Sequence, residues 1–343
     1  MKPATIREKR SSLLETKPKL QAREVSERLG ITEGELVASE CGNGTVRLKE
    51  DFFNLLNEFS GLRTAMAVTR NRLAVIEVNG TYPKFQYFEG MGWGEGEIID
   101  LRLAMGAWYE AFYVPPSEDS AGSLQFFDRE GYAVHKLFTR DTEFVETSFL
   151  PNYSHPKQKA SLDWKRDPVD AVNENPEIDQ PAFCEAWSNL RDIHNAGRLL
   201  KRYRLTHLQG VRFLGDQWAY RTGKESLESV LLAAAERGLK LSISVVNLGT
   251  RQIRGGIIPD LKRFGKWMNL LQPEFNLHMD ESQIHQVWKV KTPSTNGEVL
   301  SLDVFDKLGQ IALQIQGTYS RTEKQQRSWI ELLNEFEALR IEE

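Results

Sequence analysis

The histidine at position 194 has the sequence context that most clearly suggests chemistry. It lies in the segment Phe183–Gly197, which we expect to be helical, and at helical pitch Trp187, Leu190, His194 and Gly197 fall on one stripe. A glycine one turn beyond an imidazole leaves room for a flat ligand against the helix. Because neutral imidazole is an ordinary axial ligand of heme iron, the stripe suggests a heme bound through His194.

Other interpretations of the histidines and their neighbours stay open. A histidine on a helix face is more often a core or surface residue than a ligand. The basic run at 201–204 could bind heme propionates, or it could be a solvated face. His278 and His285 would lie on opposite faces of a strand, which argues against a zinc site. His135 and His155 have no ligand partner nearby in the sequence.

The overall composition narrows the class of protein. The 343 residues carry a net charge of −4, whereas general binders of nucleic acid or acidic membranes carry surplus cations. Cys41 and Cys184 are far apart, which favours a reducing compartment without disulfides or a cysteine zinc site. The charged N-terminus lacks the apolar core of a secretory signal, and no apolar run is long enough to span a bilayer. We therefore expect a soluble cytoplasmic protein.

The sequence is internally duplicated. Segments of the first half recur in the second half in the same order and at nearly the same separation. The matching pairs are Gly30–Val37 with Arg204–Val211, Asp100–Val114 with Asn276–Val290, and Ser123–Gly131 with Ser301–Gly309. Chance matches would not stay collinear over so much of the chain. A repeat of this length indicates a duplicated domain.

Each copy shows the same order of predicted elements. A helix pair is predicted at 18–40 and again at 182–214, and a single helix follows at 50–60 and at 225–237. A run of strands then completes each copy, with glycines expected at the helix ends and the hairpin turns. These glycines are Gly61, Gly131, Gly238 and Gly309. Helices followed by antiparallel strands predict an α+β fold.

The domain organisation follows from the duplication. We predict a first α+β repeat over residues 1–150, a linker over 151–181 and a second α+β repeat over 182–343, which carries the ligand helix. Each repeat would consist of a helix pair and a large antiparallel sheet. A pseudo-two-fold axis is expected to relate the repeats, with a ligand cleft between them.

Two pairs of equivalent positions differ in chemistry between the copies. His194 corresponds to Leu20, and Arg102 corresponds to His278. One cleft would then hold His194 and Arg102, while its twin would hold Leu20 and His278. Scaffold positions tend to stay apolar in both copies, so divergent positions are where a site could form. Drift at two surface positions is the alternative explanation.

The predicted ligand helix, with Asp192–His194 and Leu199–Arg202, resembles the heme-ligand helix of one known family. This is the cytoplasmic hemin-degrading or hemin-transport factor family of Gram-negative bacteria (HemS/ChuS type). Shorter matches keep their order and spacing over nearly the whole chain. They are Asp100–Leu103, Trp108, Phe126–Asp128, Trp267, Phe275–His278, Lys291–Gly297, Ser301, Leu302, Phe305, Arg321–Glu323 and Trp329.

The resemblance implies one heme b (iron protoporphyrin IX) with His194 as the proximal iron ligand. It also implies that Arg102 lies over the distal face as the candidate catalytic residue. Arginine is always protonated, so it suits hydrogen bonding to a species on the iron better than ligation. The remaining candidates for heme binding are His207, Gln209, Lys291, Tyr319 and Arg321.

The chain departs from the family pattern near the predicted ligand. His207 stands where the family often has an arginine, thirteen residues after the ligand histidine. Ala196 and Gly197 stand where bulky or aromatic residues are usual. These departures concern the binding of the propionates and the closure of the pocket more than the ligation by His194.

The resemblance supports two functions that share one site. In the first, the protein is an enzyme that opens the heme macrocycle and releases iron, with electrons from an external reductant. In the second, it is a carrier that accepts heme from an importer at the inner membrane and passes it to a downstream heme oxygenase or reductase. Both place the protein in heme utilisation and iron acquisition, as a monomer or homodimer.

A third function, DNA binding, rests on the helix-turn-helix spacing of residues 23–36. The would-be recognition helix carries Glu33, Glu35 and Glu40 and no lysine or arginine, so it would face phosphates with like charge. The motif also recurs in the second copy, which indicates an architectural role. We therefore expect no nucleic acid partner.

Overall fold

The computed structural model describes residues 1–118, 120–159, 162–165, 176–295, 297–317, 323–336 and 341. For His194 and residues 323–326 it describes the backbone and not the side chain. The chain falls into two compact units. The first unit contains Met1–Arg70, Glu77–Val169 and Leu248–Gln252, and the second contains Asn71–Ile76, Asp170–Asn247 and Ile253–Glu343.

The first half of the chain begins with helices and continues with strands. Its helices are α1 (Pro3–Thr16), α2 (Ala22–Leu29), α3 (Glu33–Ala38), α4 (Phe52–Glu58), α5 (Thr142–Phe144) and α6 (Leu150–Tyr153). Its strands are β1 (Val46–Arg47), β2 (Ala65–Arg70), β3 (Ala74–Gly80), β4 (Gln86–Phe88), β5 (Met91–Glu95), β6 (Asp100–Ala104), β7 (Glu110–Val114), β8 (Gly122–Phe127) and β9 (Ala133–Thr139).

The second half repeats this order. Its helices are α7 (Gln180–Ser188), α8 (Ala196–Arg202), α9 (His207–Leu214), α10 (Glu225–Glu236) and α11 (Glu323–Glu335). Its strands are β10 (Ala219–Thr222), β11 (Lys240–Val246), β12 (Thr250–Ile257), β13 (Leu261–Phe264), β14 (Trp267–Gln272), β15 (Phe275–Asp280), β16 (Gln286–Ser294), β17 (Gly297–Phe305) and β18 (Ile311–Gly317).

The two units use the same strand order. In the first unit β1, β7, β8, β9 and β2 are successive antiparallel neighbours, and β5 pairs with β4 and β6. In the second unit β10, β16, β17, β18 and β11 follow the same order, and β14 pairs with β13 and β15. The predicted α+β class with large antiparallel sheets and two structural repeats is therefore confirmed. Within the described part of the chain, no helix is long and apolar enough to cross a membrane.

Identical turn chemistry in both units shows the duplication at atomic detail. Asp128 begins the β8–β9 turn, and its Oδ1 accepts the backbone N–H groups of Glu130 and Tyr132. Asp306 accepts from Leu308 and Gln310 in the same way in the β17–β18 turn. Both turns end in a left-handed glycine, Gly131 with φ of 85° and Gly309 with φ of 70°. A residue with a Cβ would be strained at either glycine, as predicted.

The helix pairs are also built alike. The backbone N–H of Gly34 in α3 donates to the carbonyl of Gly131, and that of Leu208 in α9 donates to the carbonyl of Gly309. Thr32 caps α3 through a capping box with Glu35, and Thr206 caps α9 through the same box with Gln209. Each helix is therefore fixed onto the following hairpin turn of its own unit.

Two predicted helix regions differ from the structure. The structure has an additional helix, α1, before the predicted pair. Its buried Ile6 and the ion pair of Arg10 with Glu40 attach it to the first unit. The region 182–214 contains three helices, α7 to α9, rather than the predicted pair. The predicted linker 151–181 lies partly outside the described residues. Its first part pairs with the first unit, since the N–H of His155 donates to the carbonyl of Arg47.

The acidic residues of the helix-turn-helix have structural roles in the first unit. Glu33 is buried at the start of α3 and forms an ion pair with Lys136 of β9. Burial alone would raise the pKa of Glu33, but Lys136 and other nearby cations hold it below its usual value. Glu35 accepts the backbone N–H of Thr32. Helix α3 is therefore packed through residues that a DNA-reading helix would expose.

Candidate functional site

The backbone around His194 is a break between two helices. Helix α7 ends at Ser188, where the side chains of Ser188 and Asn189 both donate to the carbonyl of Glu185. These side chains compete with the helical hydrogen bonds, as serine and asparagine do at helix ends. The prediction that His194 shares a continuous helical stripe with Trp187 was therefore wrong. His194 lies in the single 3-10 turn Ile193–Asn195, directly before α8.

This segment is attached to strand β16. The indole N–H of Trp187 donates to the carbonyl of Lys291 at 3.1 Å. Further along, the backbone N–H of Thr295 donates to the carbonyl of Arg191 at 3.0 Å. Since Trp187 is only 3% exposed, the first bond is also part of the core. The predicted ligand His194 and the predicted propionate residue Lys291 are therefore carried by elements that are hydrogen-bonded to each other.

Helix α8 presents a bare surface one turn after His194. A Cβ built on Gly197 would meet no atom of the described residues within 4 Å. On the other side of α8, Leu199 and Leu200 are buried in the core of the second unit. A Cβ on Gly210 of α9 would lie 2.2 Å from Leu200 Cδ2, so this second glycine allows the two helices to touch. Helix α8 thus packs against α9 on one side, while on the other no neighbouring group of the described residues lies within 4 Å of a Cβ at Gly197.

His207 and Gln209 both lie in the first turn of α9. His207 is the first residue of the helix and is half-buried. Gln209 is buried, and its Oε1 accepts the backbone N–H of Thr206 at 2.7 Å. Glu35 makes the equivalent bond in the first unit, so helix capping accounts for the position of Gln209. A heme contact by either residue stays a prediction.

Arg102 lies on β6 among carboxylates of the first unit. Alternation along this strand buries Leu101 and Leu103 and leaves Arg102 half-buried on the opposite face. Its guanidinium donates to Asp100, and its second terminal nitrogen donates to Glu95 Oε1 at 2.6 Å. Arg102 is therefore a paired cation, and its role toward a heme stays a prediction.

The equivalent position in the second unit is occupied by His278. His278 Nδ1 is 2.7 Å from Asn269 Oδ1 across the β14–β15 pair. Asn276 and Leu271 occupy the places that Asp100 and Glu95 have in the first unit. Arg102 therefore has two carboxylate neighbours, Asp100 and Glu95, whereas the equivalent positions near His278 carry an amide and a leucine.

His135 forms a buried polar group that the sequence did not indicate. It is 1% exposed, with Nε2 3.0 Å from the hydroxyl of Tyr82 and Nδ1 3.3 Å from that of Thr69. Burial lowers the pKa of His135 to about 3, so the ring is neutral at physiological pH. Alternation in β9 predicts an inward side chain there, but its partners come from β2 and the segment after β3, far away in sequence.

Two of the predicted site residues, Tyr319 and Arg321, lie outside the described residues. The side chain of His194 is outside them as well. Their roles toward a heme therefore stay predictions.

The chain is similar to proteins of one family over nearly its whole length. The family model described as the haemin-degrading HemS.ChuX domain matches residues 30–154 and 204–336, which is one match in each repeat. The hemin transport protein HmuS of Yersinia pestis is 31% identical over 324 residues, which covers 92% of each chain. The hemin transport protein HemS of Yersinia enterocolitica is 31% identical over 91% of each chain.

Solved structures extend the similarity to the fold. The holo form of PhuS, a heme-binding protein from Pseudomonas aeruginosa, matches with a TM-score of 0.89 and 34% identity, covering 98% of this chain and 99% of that chain. The heme-degrading enzyme ChuS of Escherichia coli O157:H7 matches with a TM-score of 0.88 and 25% identity, covering 97% and 99%. The chain therefore belongs to the haemin-degrading HemS/ChuX family.

Proposed function

We propose that this chain binds one heme b, with His194 as the axial iron ligand, and serves heme utilisation and iron acquisition. The observation that carries the proposal is the bare surface at Gly197, directly after the turn that holds His194, in a chain of this family. A planar porphyrin needs such a surface next to its ligand. The imidazole, the glycine and the nearby lysine on β16 fit this group.

Each candidate residue would have a distinct role in holding the heme. When bound, the heme supplies a redox-active iron. His194 would hold that iron through a ring nitrogen. Lys291 would bind a propionate by a charge-assisted hydrogen bond, and the other candidates for heme contacts are His207, Gln209, Tyr319 and Arg321.

Arg102 would act as a hydrogen-bond donor on the distal side of the heme. Its guanidinium keeps its charge at every physiological pH, so it would stabilise an anion there without ligating the iron. Asp100 and Glu95 accept two of the five guanidinium N–H groups in the present structure, so a remaining N–H group would make that contact, or Arg102 would leave one of the carboxylates.

Heme degradation and heme transfer are both consistent with this site. ChuS is described as a heme-degrading enzyme, and HmuS as a hemin transport protein. A cytoplasmic carrier would take heme from an importer at the inner membrane and pass it to a heme oxygenase or reductase. An enzyme would need an external reductant instead. We propose heme binding as the common function, with turnover decided by experiment.

Titration with hemin tests the binding proposal. The purified full chain should develop a sharp Soret band that saturates at one hemin per chain. His194→Ala should shift or weaken this band strongly, because the iron loses its protein ligand. His155→Ala, which removes a half-buried histidine of the segment after α6, is the matched control and should titrate with hemin like the wild type. An unchanged spectrum in His194→Ala would refute the ligand assignment.

Adding a reductant to the hemin-loaded protein separates the two functions. Ascorbate, or NADPH with a reductase, should bleach the Soret band and release chelatable iron if the protein is an enzyme. A Soret band that persists, together with transfer of hemin to apo-myoglobin, would identify a carrier.

A further inference from the structure

Arg221 on β10 occupies the place that Arg47 has on β1 in the first unit. In the strand register Arg47 is opposite Phe112 of β7, and Arg221 is opposite Trp288 of β16. The first residues of those partner strands are Glu110 and Gln286. Each of these is in turn opposite a buried phenylalanine at a bulge, Phe127 or Phe305. The two arginines are therefore equivalent positions of the duplication.

Carboxylates neutralise the arginine of the first unit. Arg47 donates to both oxygens of Glu110, at 2.7 and 2.6 Å, and lies 3.4 Å from Glu50 Oε1. Arg47 and Glu110 are both buried. A buried guanidinium requires such a partner because removing its charge from water is costly.

Both carboxylates are missing around the arginine of the second unit. Gln286 stands where the first unit has Glu110, and its Oε1 accepts the indole N–H of Trp288 at 2.9 Å. Lys224, three residues after Arg221, stands where the first unit has Glu50. Arg221 Nε is buried and has no hydrogen-bond partner within the described part of the chain. Within the described residues, the second unit thus lacks both carboxylates that neutralise the equivalent arginine of the first unit.

Arg212 and the imidazole of His285 complete this site, which we call the cation cluster: Arg212, Arg221, Lys224 and His285. Lys224 Nζ donates to the carbonyl of Ile284 at 2.6 Å, which places it beside His285. Burial first, and then the charges of Lys224, Arg212 and Arg221, lower the pKa of His285. Asp306 also acts on His285, and its Oδ1 accepts two backbone N–H groups of its own turn.

We propose that the cation cluster binds a phosphate-sized oxyanion, independently of the heme site. An oxyanion would supply the negative charge that Glu110 and Glu50 supply in the first unit. The planar guanidinium of Arg221 suits two oxygens of one phosphate, and Lys224 and Arg212 add charge without adding a fixed geometry. No residue of the cluster belongs to the predicted heme contacts.

Calorimetric titration of the hemin-free full chain with inorganic phosphate at pH 7 and constant ionic strength tests this proposal. Wild-type protein should bind one phosphate per chain. Gln286→Glu rebuilds the carboxylate partner that the first unit already has and should weaken phosphate binding at least tenfold. Lys224→Gln removes one charge of the cluster and should weaken phosphate binding several-fold. Lys240→Gln removes an exposed charge elsewhere in the second unit and should leave binding unchanged.

The assignment is overturned if wild-type protein shows no phosphate binding, or if Gln286→Glu binds phosphate as tightly as the wild type. Acetate tests the chemical class, because an equally tight acetate complex would contradict a site for phosphate. Titration with adenosine monophosphate distinguishes free phosphate from a phosphate monoester as the source. Binding of either that is lost in Gln286→Glu supports the site.

Discussion

Arg204 holds the same left-handed backbone conformation as Gly30, its counterpart in the first repeat. Their φ angles are 56° and 65°. The N–H of each donates to the carbonyl three residues earlier, and the N–H of the next residue donates to the carbonyl five residues before it. Both residues therefore end a helix, α2 or α8, by the same hydrogen-bonded turn. Gly30 adopts this conformation without strain because it has no Cβ, whereas the Cβ of Arg204 makes it unfavourable.

Replacing Arg204 by glycine should stabilise the protein. Relief of the left-handed strain is worth roughly 1 kcal/mol in the free energy of unfolding. Chemical denaturation of the full chain measures the change in the free energy of unfolding. Lys201→Gly, in the last turn of the same helix, removes an equal charge at an ordinary helical position and should destabilise by about 1 kcal/mol. Equal effects of the two substitutions would show that charge rather than backbone strain decides.

Glu95 should restrain Arg102 in the heme-loaded protein. In Glu95→Gln the guanidinium loses its 2.6 Å ionic partner and keeps Asp100, so more of its N–H groups are available to an anion bound at the proposed heme iron. We expect the affinity of the heme-loaded protein for azide to rise several-fold. Absorption titration with azide measures this effect. Arg102→Ala should abolish the increase, and should reduce any turnover more than it weakens hemin binding.

Glu97 provides the control for this experiment, since it is exposed on the same β5–β6 connection. Glu97→Gln removes the same charge and should leave azide affinity unchanged. If Glu95→Gln has the same effect with and without Arg102, the carboxylate does not act through the arginine. If the wild-type protein binds no hemin, the heme proposal itself is refuted.

The architecture was predictable because duplication and turn chemistry are local properties of the sequence. Gly131 and Gly309 follow an aspartate by three residues in both copies, and the spacing alone predicts two equivalent hairpins. The break before His194 was not predictable from periodicity. Helical pitch places Trp187 and His194 on one stripe, but it cannot weigh the competition of Ser188 and Asn189 for the carbonyl of Glu185.

The polar partners of the site were less predictable than its positions. The divergence of Arg102 from His278 is visible in an alignment of the two halves. Asp100 is on the same strand face as Arg102, but Glu95 becomes its neighbour only when β5 is paired with β6 in register. Likewise, Tyr82 and Thr69 meet His135 only because separate strands converge on one buried point.

His135 should make the first unit sensitive to acid. The ring binds a proton only below a pKa of about 3 in the folded state, whereas an unfolded histidine does so near its ordinary value of 6.5. The unfolded state therefore holds more protons between these values, and stability falls as the pH decreases through this window. The slope is at most about 1.4 kcal/mol per pH unit. Denaturation of wild type and His135→Gln from pH 4 to 8 should show the steeper loss in the wild type.

Asp128 has the opposite effect on the pH dependence of stability. The contribution of His135 must therefore be measured as a difference between the wild type and a variant. Burial raises the pKa of Asp128 to about 6, so the folded state gains stability relative to the unfolded state as the pH falls below that value. This contribution is common to both proteins and cancels in their difference. Parallel curves for wild type and His135→Gln would rule out the buried ring as the cause.

The Arg47–Glu110 pair should stabilise the first unit only as an intact pair. Glu110→Gln leaves the buried guanidinium without its counterion and should lower the free energy of unfolding by about 3 kcal/mol. Glu50→Gln removes the more distant and largely exposed partner and should cost less than about 0.5 kcal/mol. In the double variant Arg47→Met/Glu110→Leu no charge is buried, so stability should recover most of the loss. A double variant no more stable than Glu110→Gln would mean that packing at this site, and not the unpaired charge, determines the cost.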